Sequence, residues 1–85
     1  MASFDLLIKP SAVEEIESLP KGDRQRVVTR IAALALEPRP PGCEKLSGQE
    51  RYRVRQGNYR ILYEVREREL IVMVVKVGDR KVVYR

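Results

Sequence analysis

The sequence contains no histidine and no tryptophan, and Cys43 is its single cysteine. A lone cysteine excludes an internal disulfide, and the lack of histidine excludes a Cys–His nucleophile pair and argues against a zinc site. No apolar run approaches the ~20 residues of a membrane span, and the N-terminus lacks the basic start and apolar stretch of a signal peptide. These absences predict a cytoplasmic protein that works without a metal or cofactor.

The chain is also short, and its 85 residues predict a single domain, 1–85, with one modest core. Hydrophobic residues make up 44% and charged residues 34%, which is typical of a soluble globular domain.

Positive charge is unevenly distributed along the chain. Residues 1–50 hold 7 Lys+Arg and 8 Asp+Glu, whereas residues 51–85 hold 10 Lys+Arg and 4 Asp+Glu. All of the excess behind the net charge of +5 therefore lies after residue 50. This asymmetry predicts a polyanionic or acidic partner that binds the C-terminal part.

Two helices are predicted to follow a first strand. The apolar run "FDLLIK" (4–9) favours a strand, and "SAVE" (11–14) has the Ser and Glu spacing of a capping box at a helix start. Asp23 is placed to cap a second helix that ends near Leu36. Because the break between the helices is short, at 20–22, we expect an antiparallel helix pair.

Strands are predicted for the rest of the chain, after a connection rich in Pro and Gly at 37–50 that should form an irregular surface loop. From residue 51 the period changes to two, and strands are predicted at 51–55, 59–65, 70–77 and 81–85. The third of these, "LIVMVVKV", is apolar on both faces, as expected of a central strand covered on both sides. The order of strand, helix pair and antiparallel β-meander predicts an α+β fold with both helices on one face of the sheet.

The segment "RYRVRQGNYRILY" (51–63) concentrates arginine and tyrosine without any carboxylate. Alternation along a strand would place Arg51, Arg53 and Arg55 on one face, and Arg60 follows just across the turn. One interpretation is a solvated edge strand whose charges discourage aggregation. The other is a groove for single-stranded RNA, since guanidinium groups bind phosphate oxygens.

The remaining tyrosines and basic residues divide between the core and this groove. Tyr59 and Tyr63 share a strand face with apolar residues and are predicted to be core. Tyr84 instead lies near the C-terminus beside Arg80 and Lys81, where its ring could stack on an unpaired base.

Three segments together resemble the RelE branch of the RelE/ParE toxin superfamily: "KLSG", "YRVRQGNYRILYEV" and "VVKVGDRKVVYR". The resemblance implies a microbial-ribonuclease-like sheet with two helices on one side. It also implies a toxin of a type II toxin–antitoxin pair that cuts mRNA in the ribosomal A site and thereby blocks translation. Its partners would be the ribosome with its mRNA and a RelB-like antitoxin that carries an acidic, amphipathic segment.

The resemblance also implies the functional residues, in two groups. The catalytic residues would be Arg53, Arg55, Arg60, Arg80 and Tyr84. Substrate binding would involve Arg51, Lys45, Lys76 and Lys81, although Lys76 could instead extend its ammonium group to the sheet edge.

The proton acceptor is open at this point, because the two strand positions Arg53 and Arg55 are lysine in the best-known members. Arginine stays protonated and is a poor proton carrier. The sequence leaves Asp79, Glu50 and Tyr84 as candidates, or catalysis by electrostatics and positioning alone.

Two alternative functions remain. A ParE-like toxin would share the fold and inhibit DNA gyrase without nuclease activity, although such chains usually lack the basic pair before the turn. A non-catalytic RNA- or ribosome-binding module would use the same basic groove without cutting.

Overall fold

The computed structural model describes residues 3–46 and 50–79, which form two helices and a five-stranded sheet. The helices are α1 (Pro10–Glu17) and α2 (Lys21–Leu34). The strands are β1 (Asp5–Ile8), β2 (Glu44–Leu46), β3 (Arg51–Gln56), β4 (Tyr59–Arg66) and β5 (Ile71–Asp79).

The strands follow the order β1-β5-β4-β3-β2 across the sheet. β1 pairs with β5 in parallel, with Asp5 opposite Ile71, and every other pairing is antiparallel. The sheet is therefore mixed. The two helices carry the chain from β1 to β2 at the opposite edge, and the antiparallel strands β2 to β5 then bring it back beside β1. The predicted α+β class is confirmed, with the meander of β3, β4 and β5 as its antiparallel part.

The core lies between the two helices and one face of the sheet. Alternate strand residues such as Val54, Ile61 and Val72 point to this face and are at most 1% exposed. From the helices, Ile16 and Ile31 contribute to the same cluster. The other face of the sheet carries no helix among the described residues, and it is called the open face below.

The structure corrects the predicted helix starts. α1 begins at Pro10 with Lys9 as its N-cap, and no side chain caps it, so Ser11 lies inside the helix and the capping-box prediction is wrong. Proline suits the first helical position because its missing N–H would have no partner there. α2 likewise begins at Lys21, which places Asp23 in its first turn and not at its cap.

A further correction concerns the connection 37–50, which contains the short strand β2 and is firmly anchored before it. The Tyr63 hydroxyl donates to the Pro38 carbonyl at 2.6 Å, and burial raises the pKa of Tyr63. Arg39 donates from Nε to the Tyr52 hydroxyl at 2.9 Å and forms an ion pair with Glu67. These contacts hold the chain close to β3, so that β2 can pair with it.

A carboxylate from α1 completes the free edge of β5. β1 ends at Ile8, opposite Val74, and no other strand of the described residues pairs with the later part of β5 on that side. There the Val77 N–H donates to Glu15 Oε1 at 2.9 Å, and Lys76 Nζ contacts Glu15 Oε2 at 2.7 Å. Glu15 thus accepts the hydrogen bond that a longer β1 would have accepted.

We expect the substitution Glu15→Ala to lower the free energy of unfolding by about 1–3 kcal/mol, because it leaves a partly buried N–H without its acceptor. Glu15→Gln retains an acceptor oxygen, so its free energy of unfolding should fall clearly less than that of Glu15→Ala. Glu17→Ala removes an exposed carboxylate from the same helix and serves as the control. Urea unfolding followed by circular dichroism measures all three, and equal stability of Glu15→Ala and Glu17→Ala would contradict the role of Glu15.

Candidate nucleic-acid interface

The open face gathers the arginines of β3 and β4. Tyr52 and Val54 point into the core, so that Arg51, Arg53 and Arg55 point to the open face. In the antiparallel register Arg55 lies opposite Arg60 of β4. The structure therefore brings together four of the residues that the sequence assigned to a basic groove.

Two of these arginines are held in place by carboxylates of the neighbouring strands. Arg51 Nη2 lies 2.9 Å from Oε2 of Glu64, which is directly opposite on β4. Arg53 Nη2 lies 3.0 Å from Oε1 of Glu44, which is directly opposite on β2. The sequence segment of the hairpin contains no carboxylate before Glu64, but β2 supplies one through space.

Arg55 and Arg60 form a pair of like charges across the strands. Arg55 is exposed and makes no ion pair with the described residues. Arg60 is only 4% exposed. It lies opposite Arg55 on one neighbouring strand and opposite Gly78 on the other, and because glycine has no side chain, it leaves room for that of Arg60 on the open face. Like charges placed directly opposite are destabilising by themselves.

Two of the three lysines predicted to bind substrate are engaged elsewhere. Lys45 lies opposite Tyr52, on the side of the sheet that faces the helices, and its Nζ is 3.5 Å from Glu50. Lys76 lies opposite Leu62, and its Nζ contacts Glu15 of α1. The structure does not bring either ammonium group together with the arginines.

Arg80, Lys81 and Tyr84 lie outside the described residues, as does the predicted last strand at 81–85. Their assignment to the site stays a prediction.

Glu50, one of the proposed proton acceptors, lies away from the arginines. Its Oε2 accepts a hydrogen bond from the Tyr52 hydroxyl at 3.0 Å, and its Oε1 contacts Lys45. The bond from Tyr52, followed by the charge of Lys45, lowers the pKa of Glu50. The side chain faces the same side of the sheet as Tyr52, opposite to the face of Arg53 and Arg55.

Asp79 belongs to the same side of the sheet by its register. It lies opposite Tyr59, whose hydroxyl donates to Asp23 of α2 at 2.9 Å and whose pKa is raised first of all by that hydrogen bond. Arg60 of β4, by contrast, lies opposite Gly78, the residue before Asp79. Neither carboxylate offered by the sequence therefore faces the arginines.

Glu44 is the residue that sequence reasoning missed. It lies in the segment 37–50, which the sequence predicts to be an irregular loop. Without a predicted strand there, the alternation of side chains could not show which face of the sheet Glu44 lies on. The observed pairing of Glu44 with Arg53 places it on the open face.

For residues 3–46 and 50–79, the structure also bears on metal binding and on membrane spans. In these ranges no three His, Cys, Asp or Glu side chains come close enough to hold a metal ion. Neither helix of the described chain is long and apolar enough to cross a membrane.

Solved structures of RelE toxins share this fold. The RelE chain of the archaeal RelE–RelB complex from Pyrococcus horikoshii is 28% identical with a TM-score of 0.83, and the match covers 92% of this chain and 96% of that one. A chain of the RelB–RelE complex from Methanococcus jannaschii is 25% identical with a TM-score of 0.74, covering 92% and 94%. The isolated E. coli RelE toxin is 25% identical with a TM-score of 0.80, covering 96% and 92%.

The fold and the arginine face thus define a small toxin of the RelE/ParE type. A family model described as the ParE toxin of type II toxin–antitoxin system, parDE, matches residues 6–84. The chain belongs to this family. A comparison with curated proteins gives no significant match.

The lowered pKa of Glu50 predicts a pH dependence of stability. Because its pKa is lower in the folded than in the unfolded chain, ionised Glu50 stabilises the fold above its ordinary value of 4.5. This contribution is lost as the pH falls through the folded-state pKa. We therefore expect Glu50→Gln to be less stable than the wild type at pH 7, with a difference that shrinks below about pH 4.

Urea unfolding at a series of pH values measures this difference. Glu69→Gln is the matched control, because Glu69 is exposed in the turn between β4 and β5 and makes no ion pair with the described residues. A difference in the free energy of unfolding between wild type and Glu50→Gln that stays constant down to about pH 3 would refute the stabilising role of ionised Glu50.

Proposed function

We propose that this toxin is a ribosome-dependent endoribonuclease that cleaves mRNA in the A site and inhibits translation. The observation that carries the proposal is the common face of Arg53, Arg55 and Arg60, which opposes the helices and is open among the described residues. Three guanidinium groups on rigid paired strands are suited to a phosphodiester backbone. The similarity to RelE toxins supports the same activity.

The arginines would act on the charge that develops during cleavage. When a 2′-hydroxyl attacks the adjacent phosphate, negative charge accumulates on the phosphoryl oxygens. Arg55 and Arg60, held opposite each other, would bind these oxygens more tightly in the transition state than in the ground state. The products would be a 2′,3′-cyclic phosphate and a 5′-hydroxyl. Arg80 and Tyr84 would complete the site from the C-terminal segment.

The ribosome would supply the alignment that this chain does not supply alone. Without histidine, the site has no group with an ordinary pKa near neutrality. Holding the 2′-oxygen in line with the scissile bond lowers the chemical demand on any base, and such positioning alone accounts for up to about 7–11 kcal/mol of a barrier.

The proposed partner that silences the toxin is a RelB-like antitoxin. The P. horikoshii and M. jannaschii relatives were both solved in complexes with RelB. An acidic, amphipathic segment folding onto the open face would neutralise Arg55 and Arg60 and exclude RNA from them.

A second candidate function is inhibition of DNA gyrase, which the ParE family model favours. The two candidates differ in a direct assay, because a gyrase inhibitor blocks supercoiling of plasmid DNA and leaves ribosome-bound mRNA intact.

For the ribonuclease we predict that Arg55→Gln lowers the cleavage rate on mRNA-programmed ribosomes by about 10²–10³-fold, the usual effect of removing one stabilising donor. The matched control is Arg68→Gln, since Arg68 is an equally exposed arginine in the turn between β4 and β5. Primer extension maps the 5′ ends on ribosomes and on free RNA. We expect cuts in the A-site codon with the wild type and the control only.

Other outcomes would exclude this function. Absence of cleavage by the wild type together with loss of gyrase supercoiling would establish the second candidate. RNA or ribosome binding without cleavage and without gyrase inhibition would establish a binding module. Equal loss of activity in Arg55→Gln and Arg68→Gln would show that the open face is not the site.

A further inference from the structure

The proposed cleavage requires a proton acceptor for the attacking 2′-hydroxyl, and this further inference rests on the proposed function. The arginines cannot take the proton, because they stay protonated at any working pH. Glu50 and Asp79 lie on the side of the sheet that faces the helices. Among the described residues, the carboxylates of the open face are the remaining candidates for the acceptor.

The register places three described carboxylates on the open face. Asp5 belongs to β1, three strands away from β3, which is roughly 14 Å at the usual strand spacing. Glu64 uses both of its oxygens, Oε2 for Arg51 and Oε1 for Arg66, and its side chain is only 20% exposed. The third is Glu44.

Glu44 has the geometry of an available base beside the arginines. Its Oε1 accepts from Arg53 Nη2 at 3.0 Å and from Nε at 3.3 Å, so the carboxylate is held at a defined position. Its Oε2 has no hydrogen-bond partner among the described residues, and the side chain is 51% exposed. The held oxygen fixes the group, and the other oxygen is accessible to a ligand.

Glu44 also lies on the same face as the paired arginines and close to them. Arg53 lies directly opposite Glu44, and Arg55 and Arg60 form the next pair on this face, two residues further along β3. One strand across and two residues along place the Cα atom of Glu44 roughly 8 Å from that of Arg55. A phosphate bound by Arg55 would thus leave its ribose within reach of the Glu44 side chain.

We propose that Glu44 is the proton acceptor of the cleavage reaction. Its Oε2 takes the proton of the 2′-hydroxyl while the 2′-oxygen forms its bond to phosphorus. The bond from phosphorus to the 5′-oxygen breaks, and the leaving oxygen takes a proton from water. The resulting hydroxide removes the proton from Glu44, which restores the carboxylate and balances the reaction.

The competing explanation is that Glu44 only orients Arg53. Glutamine distinguishes the two, because its amide oxygen still accepts from Arg53 but does not take a proton. A base is required for the chemical step and not for binding, so its loss should change the maximal rate and leave the half-saturating concentration unchanged.

The test is single-turnover cleavage on mRNA-programmed ribosomes, with full-length toxin in excess over a range of concentrations. We expect Glu44→Gln to lower the maximal rate by about 10²–10⁴-fold, the usual contribution of a general base, at unchanged half-saturation. Glu69→Gln is the matched control for the charge change and should cleave as the wild type does. Added formate should restore part of the rate to Glu44→Ala, since a small carboxylate can occupy the space left by the side chain.

Thermal unfolding of each variant verifies that the sheet is intact, and Glu44→Asp provides a second variant that keeps the carboxylate. Cleavage by the wild type and by Glu44→Gln at rates within a few-fold overturns the role of Glu44 and leaves the proposed function standing. A raised half-saturating concentration in Glu44→Ala, together with a maximal rate in Glu44→Gln that stays near the wild-type value, assigns Glu44 to orienting Arg53 and also overturns the proposal. Absence of cleavage by the wild type overturns both.

Discussion

The antiparallel register between β3 and β4 is the constraint on which the rest of the molecule depends. It places Val54 opposite Ile61 in the core and, one residue further on, Arg55 opposite Arg60 on the open face. Because side chains alternate strictly, the same hydrogen-bonded ladder fixes the core and the arginine face together. A slip by one residue would bury guanidinium groups against the helices, at a cost that far exceeds the usual stability of a small domain.

The elements around this hairpin each stabilise one of its borders. On one side, β2 pairs with β3 after the connection has been anchored by Tyr63 and Arg39. On the other side, α1 supplies Glu15 to the edge of β5 that β1 leaves open. The anchored connection fixes β2, and Glu15 fixes the edge of β5. The positions of the side chains on the open face therefore depend on contacts made on the helix side of the sheet.

Much of this fold is predictable from the sequence, and the parts that are not have a common cause. The two-residue period predicts β3 and β4, the core position of Tyr63, and the shared face of the arginines. The capping-box prediction failed because a proline one residue earlier begins α1 with a fixed backbone angle. The strand β2 was missed because three residues are too few to show a period, and its pairing with β3 depends on anchoring contacts from residues distant in sequence.

The same limitation explains why the candidate site was only partly predictable from the sequence. Residue type alone offered Glu50 and Asp79 as bases, but a face is a property of pairing, and pairing places both on the helix side. It also places Glu44, from the missed strand, against Arg53. In the proposed reaction, a chain with arginine where lysine would serve as a proton carrier would use a separate carboxylate for that task. The ion pair of Glu44 with Arg53 would then join the two requirements, a permanent positive charge and a proton acceptor, at neighbouring positions of one sheet.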